Sequence, residues 1–330
     1  MTSPLLPPLE TDIAPLTTVL VSYNTRHLLD ACLDALKAAA DPLGAAPVIV
    51  VDNASRDDSV AHLRARHADV HLIVSESNLG FGRANNLALP HLRSRYVLLL
   101  NTDAFVERTT LTATLDYMDA HPRCGILGVR LVGRDGNEQP SCRSFPTPFR
   151  LFSVKTGLSR WLPPAWQIDG AGLVPAQPTR CDWVPGCYYL VRREVIAQIG
   201  LFDPRYFLYF EEVDHCFAAR RAGWDVVCLP TTTVVHVGGE SAKSDGPITA
   251  GGRQLARIEF ESALLYFRKN LGLWAAARHV LLDGTADLAL AAKALLKGRQ
   301  RRARCADQLR HLALIASATL ATRLGRRGTR

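Results

Sequence analysis

The chain has 330 residues, 48% of them hydrophobic, and a formal net charge of +8, which is enough for a large core in one or two domains. No apolar run approaches the roughly 18–20 residues that a membrane-spanning helix needs. Residues 1–15 lack the pattern of a secretory signal, and we predict a disordered lead-in there. The cysteines form no CxxC pair, which indicates reduced thiols in a cytoplasmic protein.

The first third of the chain alternates apolar strands with helices. The predicted strands cover residues 16–23, 47–51, 70–74 and 96–100. Predicted helices lie between them, over 28–40, over 58–67 and in a segment that ends near residue 92. Such alternation is typical of parallel β-α-β units, so we predict an α/β fold with a Rossmann-like, mostly parallel sheet.

The pattern becomes more varied after residue 103. In chain order we predict a helix over 107–120, a strand over 124–132, a turn at 134–137, a long loop region with some helix over 140–180, a strand over 183–192, helices over 194–199 and 210–222, and strands over 224–229 and 233–236. Long loops of this kind often determine specificity. From about residue 254 onward the chain is predicted to be mostly helical.

Short polar segments follow three of the predicted strands. They are Ser22-Tyr23-Asn24, Asp52-Asn53 and Asn101-Thr102-Asp103. The carboxyl ends of parallel strands share one edge of the sheet, where open α/β sheets bind their ligands, so we predict a nucleotide crevice at this edge. A carboxylate fixed there can hold a divalent metal against a diphosphate, and the alternative is a solvated loop.

The glycine pattern of this half excludes two other nucleotide folds. Gly80-Phe81-Gly82 begins like a dinucleotide-binding fingerprint, but it follows the third strand instead of the first and lacks the last glycine. No P-loop is present, and no glycine-rich loop follows the first strand, which argues against a nucleotidyltransferase. Asp52 could accept a hydrogen bond from a base or a ribose, or it could cap the following helix.

A second informative segment, over residues 200–223, combines aromatic residues with three acids, Glu211, Glu212 and Asp214. A partly apolar cleft can raise the pKa of a carboxylate toward the range of a general base, although acids in a first helical turn are also stabilised by the helix dipole alone. Glu211 and Glu212 point about 100° apart on a helix and are not expected to share one role. His236 precedes glycines and is either structural or a metal or phosphate ligand.

Taken together, these motifs resemble the family-2 glycosyltransferases of the GT-A fold, in their rhamnosyltransferase-like branch. The resemblance covers roughly residues 16–242 and is carried, in order, by VSYN at 21–24, VVDNAS at 50–55, NLGFGRANN at 78–86, LLLNTD at 98–103, VPGCYYLVRREV at 184–195, FDPRYFLYFEEVDHCFAARRAGW at 202–224 and HVGGES at 236–241. The ordered set is specific, although no single member is.

The resemblance implies a role for each site residue. Asp103 would hold Mg²⁺ or Mn²⁺ at the place of the family's DxD-type motif, and His236 would contribute to the metal or the diphosphate. Glu212 would be the general base, with Glu211 and Asp214 as alternatives. The nucleotide-sugar donor would contact Ser22, Tyr23, Asn24, Asp52, Asn78, Gly80, Arg83, Asn86, Asn101 and Thr102.

Two positions depart from the family pattern. Asn101 stands where many members have Asp, which leaves Asp103 as the principal carboxylate ligand. Glu212 replaces the usual Asp and reaches about 1.5 Å further, and misplacement on that scale can cost about a hundredfold in rate. A catalytically impaired protein that binds nucleotide-sugars or glycans is therefore the alternative to an active enzyme.

The expected reaction is an inverting, metal-dependent transfer in the synthesis of a cell-surface polysaccharide. No covalent sugar–enzyme intermediate is required. By the same resemblance, dTDP-rhamnose is the first expectation for the donor and a UDP-sugar the second. The acceptor would be a hydroxyl of a glycan or of a lipid-linked glycan.

The C-terminal region is strongly basic, since residues 291–330 contain many Lys and Arg residues against the single acid Asp307. Such a segment indicates an anionic partner, and basic amphipathic helices prefer anionic lipid surfaces. We predict a glycosyltransferase domain over 16–250, divided into a nucleotide-binding half over 16–103 and an acceptor and catalytic half over 104–250. A basic helical extension over 251–330 would contact the cytoplasmic face of a membrane, with no nucleic acid expected as a partner.

Overall fold

A computed structural model of the chain describes Leu6 and residues 13–44, 46–169, 174–238, 253–296 and 301–328. The strands are β1 (Leu16–Ser22), β2 (Val48–Asp52), β3 (His71–Val74), β4 (Tyr96–Asn101), β5 (Ala104–Val106), β6 (Cys124–Val132), β7 (Glu138–Gln139), β8 (Thr179–Arg180), β9 (Tyr188–Arg192) and β10 (Asp225–His236). Residues 239–241 of the predicted HVGGES motif and most of the predicted lead-in lie outside the described residues.

The α-helices are α1 (Arg26–Ala40), α2 (Ser59–Arg66), α3 (Phe81–Asn86), α4 (Thr110–Ala120), α5 (Pro148–Thr156), α6 (Arg193–Ile199), α7 (Glu211–Arg221), α8 (Arg253–Tyr266), α9 (Leu273–Leu296) and α10 (Arg301–Ala321). Short 3-10 turns cover Asp41–Leu43, Leu89–His91, Ser159–Trp161 and Pro164–Trp166, and a π-helical segment covers Phe267–Leu271.

One large mixed sheet has the strand order β3-β2-β1-β4-β9-β6-β10-β5. The first four strands of the chain pair in parallel, as predicted, and a helix joins each strand to the next. β1, β2 and β4 are apolar runs buried along almost their whole length, whereas β3 is a partly exposed edge strand. Antiparallel β9 lies between β4 and β6, while β6 and β10 are parallel. The predicted fold class, an α/β protein with a C-terminal helical region, is confirmed.

The core of the sheet forms where α1 covers β1 and β4. Leu29, Leu33 and Leu36 recur at helical spacing along α1 and are fully buried against the sheet. Alternate residues of β4, such as Leu98 and Leu100, belong to the same cluster. This packing fixes the ends of β1 and β4 relative to each other, and both strands end at the edge where the site forms.

The structure differs from the predicted elements mainly in the second half. In place of the two strands predicted over 224–229 and 233–236, the structure has the single strand β10 (Asp225–His236), whose register against β6 shifts between Leu229 and Thr233. Pro230 has no N–H to donate, so the chain bulges there and then resumes pairing instead of ending the strand. The short strand β5 was not predicted, because three residues give too little pattern.

The described residues divide into two compact units. The sheet unit takes those within 1–143, 171–204 and 211–247, and the helical unit takes those within 144–170, 205–210 and 248–330. In the helical unit α9 packs against both α5 and α10. The predicted domain boundaries stay a prediction.

None of the helices in the described parts of the chain combines the length and the apolarity needed to cross a bilayer.

Candidate functional site

The polar segments after β1, β2 and β4 meet at one edge of the sheet, as predicted. In the strand register Ser22 is opposite Asp52, and Val21 is opposite Asn101. The backbone N–H of Asn53 also donates to the carbonyl of Ser22 at 2.8 Å. The site therefore begins as a row of strand ends, fixed by the ladder.

Asp52 has one carboxylate oxygen engaged and one without a partner. Its Oδ1 accepts from the backbone N–H of Ser55 at 3.0 Å, which is a contact within the loop. It is not the helix cap that the sequence suggested as an alternative, because α2 begins only at Ser59 and has Asp58 at its N-cap. Its Oδ2 is buried and has no hydrogen-bond partner among the described residues. A buried acceptor in this state is costly, so Asp52 fits a ligand that brings an N–H or O–H donor.

Ser22 and Thr102 have side chains that hydrogen-bond within the protein. The Thr25 hydroxyl lies 3.1 Å from the Ser22 hydroxyl and 3.1 Å from that of Thr102, and all three residues are buried. These hydroxyls join the end of β1 to the end of β4. These contacts brace the edge of the sheet, and the donor contacts predicted for Ser22 and Thr102 stay predictions.

The loops after β1 and β2 are tied together through Asn24, which has a left-handed backbone with a φ of 52°. Its Oδ1 accepts from the backbone N–H of Arg56 at 2.7 Å, and its own N–H donates to the hydroxyl of Ser55 at 3.0 Å. Left-handed backbone is unusual for residues other than glycine, although Asn tolerates it best. Tyr23 and Asn24 are half-buried and directly follow Ser22, the residue that pairs with Asp52 in the strand ladder.

Asn53, which we did not predict as a site residue, holds the loop that precedes α3. Its Nδ2 donates to Asn78 Oδ1 at 3.1 Å and to the Gly80 carbonyl at 3.2 Å, and its Oδ1 accepts from the N–H of Leu79 at 2.8 Å. Gly80 has a φ of 78°, which explains a glycine there. Arg83 Nε donates to the Leu79 carbonyl at 2.8 Å, so this loop is rigid on both sides.

Asn86 was predicted to contact the donor, but the structure engages both ends of its side-chain amide elsewhere. Its Nδ2 donates to the Phe202 carbonyl at 2.7 Å, and its Oδ1 accepts from the Phe202 N–H at 3.1 Å. Asn86 therefore anchors the chain that leads toward α7.

Asp103 and His236 come together, as predicted. The pairing of His236 with Ala104 and the hydrogen bond from Val237 N–H to the Asp103 carbonyl, 3.0 Å long, hold the two residues side by side. His236 Nε2 lies 3.6 Å from Asp103 Oδ1. Burial lowers the pKa of His236 and the Asp103 charge opposes this only in part, so the imidazole is neutral near pH 7.

His236 also contacts Gln139, a residue missed by sequence reasoning. Its Nδ1 lies 2.9 Å from Gln139 Oε1, and Gln139 Nε2 donates to the His236 carbonyl at 2.8 Å. Because Asp103 is only 4% exposed, its carboxylate faces the neutral imidazole with little solvent. A carboxylate oxygen and an imidazole nitrogen are ligands that suit a divalent metal.

Glu211 and Glu212 begin α7 and carry buried carboxylates. In each, Oε2 has no hydrogen-bond partner among the described residues. Burial raises the pKa of both, and the Glu212 charge raises the pKa of Glu211 further. Glu212 is drawn back by hydrogen bonds of the helix N-terminus and by the Arg143 charge. These hydrogen bonds and the Arg143 charge favour the ionised form of Glu212, which a general base needs.

Arg143 is a second residue that sequence reasoning missed. It lies over the ring of Trp183, with the guanidinium carbon 4.6 Å from the ring centroid, and pairs with Trp183 through a short antiparallel bridge.

Two further predicted site residues have these positions in the fold. Of the alternative bases, Asp214 is buried on α7. Asn101 is half-buried at the end of β4, beside the Asp103 position.

Two other clusters of His and Asp occur among the described residues, and partners within the protein already engage their carboxylates. Asp30 Oδ1 lies 2.6 Å from His62 Nε2 and 2.8 Å from His67 Nε2. In the helical unit, Asp283, Asp287 and His311 surround the ammonium group of Lys155. A lysine already supplies the positive charge there, which disfavours a metal ion.

A comparison with known proteins identifies the family. The model of the family "Glycosyl transferase family 2" matches residues 17–173. N-acetylglucosaminyl-diphospho-decaprenol L-rhamnosyltransferase of Mycobacterium tuberculosis is 29% identical over 313 residues, which are 89% of this chain and 96% of that protein. The chain is a rhamnosyltransferase-like member of glycosyltransferase family 2.

Further similarities of this family-2 glycosyltransferase concern a relative and the fold. The low-salt glycan biosynthesis hexosyltransferase Agl10 of Haloferax volcanii is 24% identical over 240 residues, 69% of this chain and 68% of that protein. The structure of the mannosyltransferase PcManGT from Pyrobaculum calidifontis, in complex with GDP-Man and Mn²⁺, superposes with a TM-score of 0.53 at 18% identity. That likeness covers 96% of this chain and 89% of the mannosyltransferase.

The predicted family and the GT-A fold are thus confirmed. The relatives also support glycosyltransferase activity in polysaccharide synthesis. The roles assigned to individual site residues stay predictions.

Proposed function

We propose that this glycosyltransferase moves a sugar from a nucleotide-diphosphate donor to a hydroxyl group, with inversion and with help from a divalent metal. The observation that carries the proposal is the pairing of the Asp103 carboxylate with the neutral imidazole of His236 at 3.6 Å, just after the end of β4. Two groups that bear lone pairs and face each other in a poorly solvated place need a cation or a proton between them.

Asp103 and His236 would hold Mg²⁺ or Mn²⁺, which when bound neutralises charge on the diphosphate leaving group. Two ligands that are each about 2.1 Å from one ion lie about 3–4 Å apart, and the observed separation fits that range. The unpartnered Oδ2 of Asp52 would accept from the base or the ribose of the donor.

Glu212 would take the proton from the acceptor hydroxyl. The acceptor oxygen then forms a bond to the anomeric carbon, and the bond from that carbon to the diphosphate breaks on the opposite face. The electron pair leaves with the diphosphate, so the charge balances without a covalent sugar–enzyme intermediate. The raised pKa of Glu212 makes its carboxylate a stronger base than an exposed Glu.

The donor that we propose first is dTDP-rhamnose, from which rhamnose would be transferred. The Mycobacterium relative matches over most of its length and is named an L-rhamnosyltransferase. A UDP-sugar is the second candidate. The name of the same relative also supports a lipid-linked glycan as the acceptor.

The test uses the purified full-length protein with Mg²⁺ or Mn²⁺ and a panel of nucleotide-sugars. We expect release of nucleoside diphosphate from one donor, faster with a polyprenyl-diphosphate glycan acceptor and abolished by EDTA. Donor binding without any turnover would favour the impaired binding protein that Glu212 suggests. The proposal would be overturned if the protein neither bound nor turned over any of the donors.

We also propose that the helical unit contacts an anionic membrane surface. Trp274, Leu281, Leu288 and Leu295 follow each other at seven-residue intervals along α9, and each side chain is at least 55% exposed. A seven-residue interval is nearly two helical turns, so the four side chains share one face. Arg278 is exposed on the same side of α9.

Other features of the helical unit support a membrane partner. Trp161 and Trp166 are 76% and 57% exposed, and tryptophan is enriched where proteins meet lipid headgroups. The described arginines of the last segment, Arg323, Arg326 and Arg327, are exposed. This surface is apolar and basic, which complements anionic lipid and would place the protein at the cytoplasmic face of the membrane.

Vesicle flotation tests the membrane contact. We expect binding to vesicles rich in phosphatidylglycerol, weaker binding to pure phosphatidylcholine, and loss of binding in the double variant Trp274→Ser/Leu281→Ser. Val74→Ser, which removes an exposed apolar side chain of the sheet unit, is the matched control. Absence of binding by the unaltered protein would overturn the proposal. Self-association that the double variant abolishes would assign the face to a second copy.

A further inference from the structure

Gln139 makes two hydrogen bonds to one residue, His236, and together they determine the orientation of its amide. The His236 carbonyl can only accept, so the Gln139 atom 2.8 Å from it must be the amide nitrogen. The amide oxygen then necessarily faces His236 Nδ1, 2.9 Å away. The opposite orientation would bring two acceptors together and lose a hydrogen bond.

This orientation decides where the imidazole proton lies. Gln139 Oε1 has no hydrogen to donate, so the contact with Nδ1 is a hydrogen bond only if Nδ1 carries the proton. In a neutral imidazole the other nitrogen, Nε2, is then a bare lone pair. That nitrogen is the one 3.6 Å from Asp103 Oδ1.

We infer that Gln139 is a positioning residue that holds His236 with its proton on Nδ1 and its Nε2 lone pair beside the Asp103 carboxylate, ready for a metal. The inference rests on the proposed role of Asp103 and His236. The competing tautomer would place a proton on Nε2 and direct it at Asp103, blocking the coordinating nitrogen. The separation of 3.6 Å is too long for a good hydrogen bond, so that state gains little from Asp103.

The chain around Gln139 is built to hold it still. Gln139 pairs with Leu131 in the β6–β7 hairpin, whose turn includes Gly136 with a φ of 76°. The Ser141 hydroxyl accepts from Leu131 N–H at 3.0 Å and donates to the Gln139 carbonyl at 2.9 Å. A side chain fixed in this way can impose an orientation on His236 without itself touching substrate.

The tautomer of His236 can be read directly by ¹⁵N NMR of the full-length, metal-free protein labelled in histidine, with His236→Gln identifying the signals. At a pH where the ring is neutral, we expect the unaltered protein to show a protonated Nδ1 and a bare Nε2. Gln139→Leu should move the ring toward the Nε2-protonated form. Gln139→Glu loses the hydrogen bond to the His236 carbonyl but keeps an acceptor for Nδ1, so in the neutral ring the proton should stay on Nδ1.

Mn²⁺ affinity, measured by EPR, gives the second readout. We expect Gln139→Leu to weaken Mn²⁺ binding about 10- to 100-fold, the usual effect of losing such a partner. Glu138→Gln changes the neighbouring residue, whose side chain forms an ion pair with Arg130 at the surface, and should leave both readouts unchanged. It controls for general disturbance of the hairpin.

The two readouts separate this inference from the proposed function. A proton on Nε2 in the unaltered protein, or an unchanged tautomer in Gln139→Leu, would overturn the positioning role. A tautomer that changes as expected in a protein that binds no Mn²⁺ would uphold the positioning role and refute the metal role. If Gln139→Leu does not fold, the Gln139→Glu tautomer decides the inference, since a proton on Nε2 there would overturn it.

Discussion

The sheet unit and the helical unit differ in how their buried carboxylates are partnered and in how much apolar surface they expose. The sheet unit buries carboxylate oxygens of Asp52, Glu211 and Glu212 that have no hydrogen-bond partner among the described residues. The helical unit pairs its buried Asp287 with Lys155 and His311 but exposes large apolar side chains. Of the strongly exposed large apolar side chains described, all but Val74 belong to the helical unit.

The difference indicates a division of labour. Unpartnered buried acceptors cost stability, and they are retained where a ligand or a proton can satisfy them. Exposed tryptophan and leucine cost little in a folded monomer but indicate a surface that another phase or molecule covers. The sheet unit thus has the properties expected of the proposed reaction site, and the helical unit those expected of the proposed membrane-contact surface.

Removing the proposed base, Glu212, should have the largest effect on the activity proposed for the sheet unit. We expect Glu212→Gln to lower the transfer rate about a thousandfold while donor binding is retained, because general-base catalysis contributes roughly 10²- to 10⁴-fold. Steady-state kinetics with isothermal titration of the donor checks this. Glu211→Gln, which replaces a carboxyl whose pKa is raised by burial and by the Glu212 charge, should change the rate far less. A larger loss in Glu211→Gln would transfer the base role to Glu211.

The ion pairs around Lys155 test whether the helical unit depends on partners for its buried carboxylates. Burial alone would raise the pKa of Asp287, but hydrogen bonds from His311 and Lys155 outweigh it and lower the pKa. Lys155→Met leaves this buried carboxylate without its cation, and we expect a loss of about 3–5 kcal/mol in the free energy of unfolding by urea.

The matched control for Lys155→Met is Lys37→Met, which removes a surface ion pair with Asp69. Exposed pairs contribute at most about 1 kcal/mol, so this variant should be nearly as stable as the unaltered protein. Equal losses in the two variants would contradict the special role of the helical cluster.

Asn86 tests whether a polar residue near the site binds the donor or holds the fold. Asn86→Ala removes two hydrogen bonds to the backbone of Phe202, and we expect a loss of about 2 kcal/mol in the free energy of unfolding with donor affinity unchanged. Asn137→Ala, in an exposed turn, should have little effect on either quantity. Weaker donor binding with unchanged stability would restore the role predicted from sequence.

The smallest expected effect concerns the pH dependence set by Arg143. Glu212 must be ionised to accept a proton, so its raised pKa moves the acidic limb of the kcat/KM profile above the ordinary glutamate range. Arg143→Met removes a charge that lowers this pKa, and the limb should move to still higher pH. Arg123→Met, an exposed arginine, should leave the limb in place. Movement of the limb to lower pH would contradict the conclusion that the Arg143 charge lowers the pKa of Glu212.

The sequence determined the features that depend on short-range pattern. Apolar runs predicted β1, β2 and β4, and the polar residues that end them predicted the edge at which Asp52 and Asp103 lie. Ordered motifs predicted the family and the fold. These succeed because a strand buried on both faces must be apolar along its length, and its end must return to polar residues.

Only the tertiary structure decided which side chains are free to act. The contacts of Asn86 with Phe202 and of Gln139 with His236 join residues that are 116 and 97 positions apart. No local pattern records such a distance. The sequence also does not show that the Ser22 hydroxyl forms a hydrogen bond with Thr25, or that one carboxylate oxygen of Asp52 has no hydrogen-bond partner among the described residues. Side-chain hydrogen bonds are determined by packing across the whole sheet, so the chain predicts where the site forms, and the fold decides which atoms remain available for chemistry.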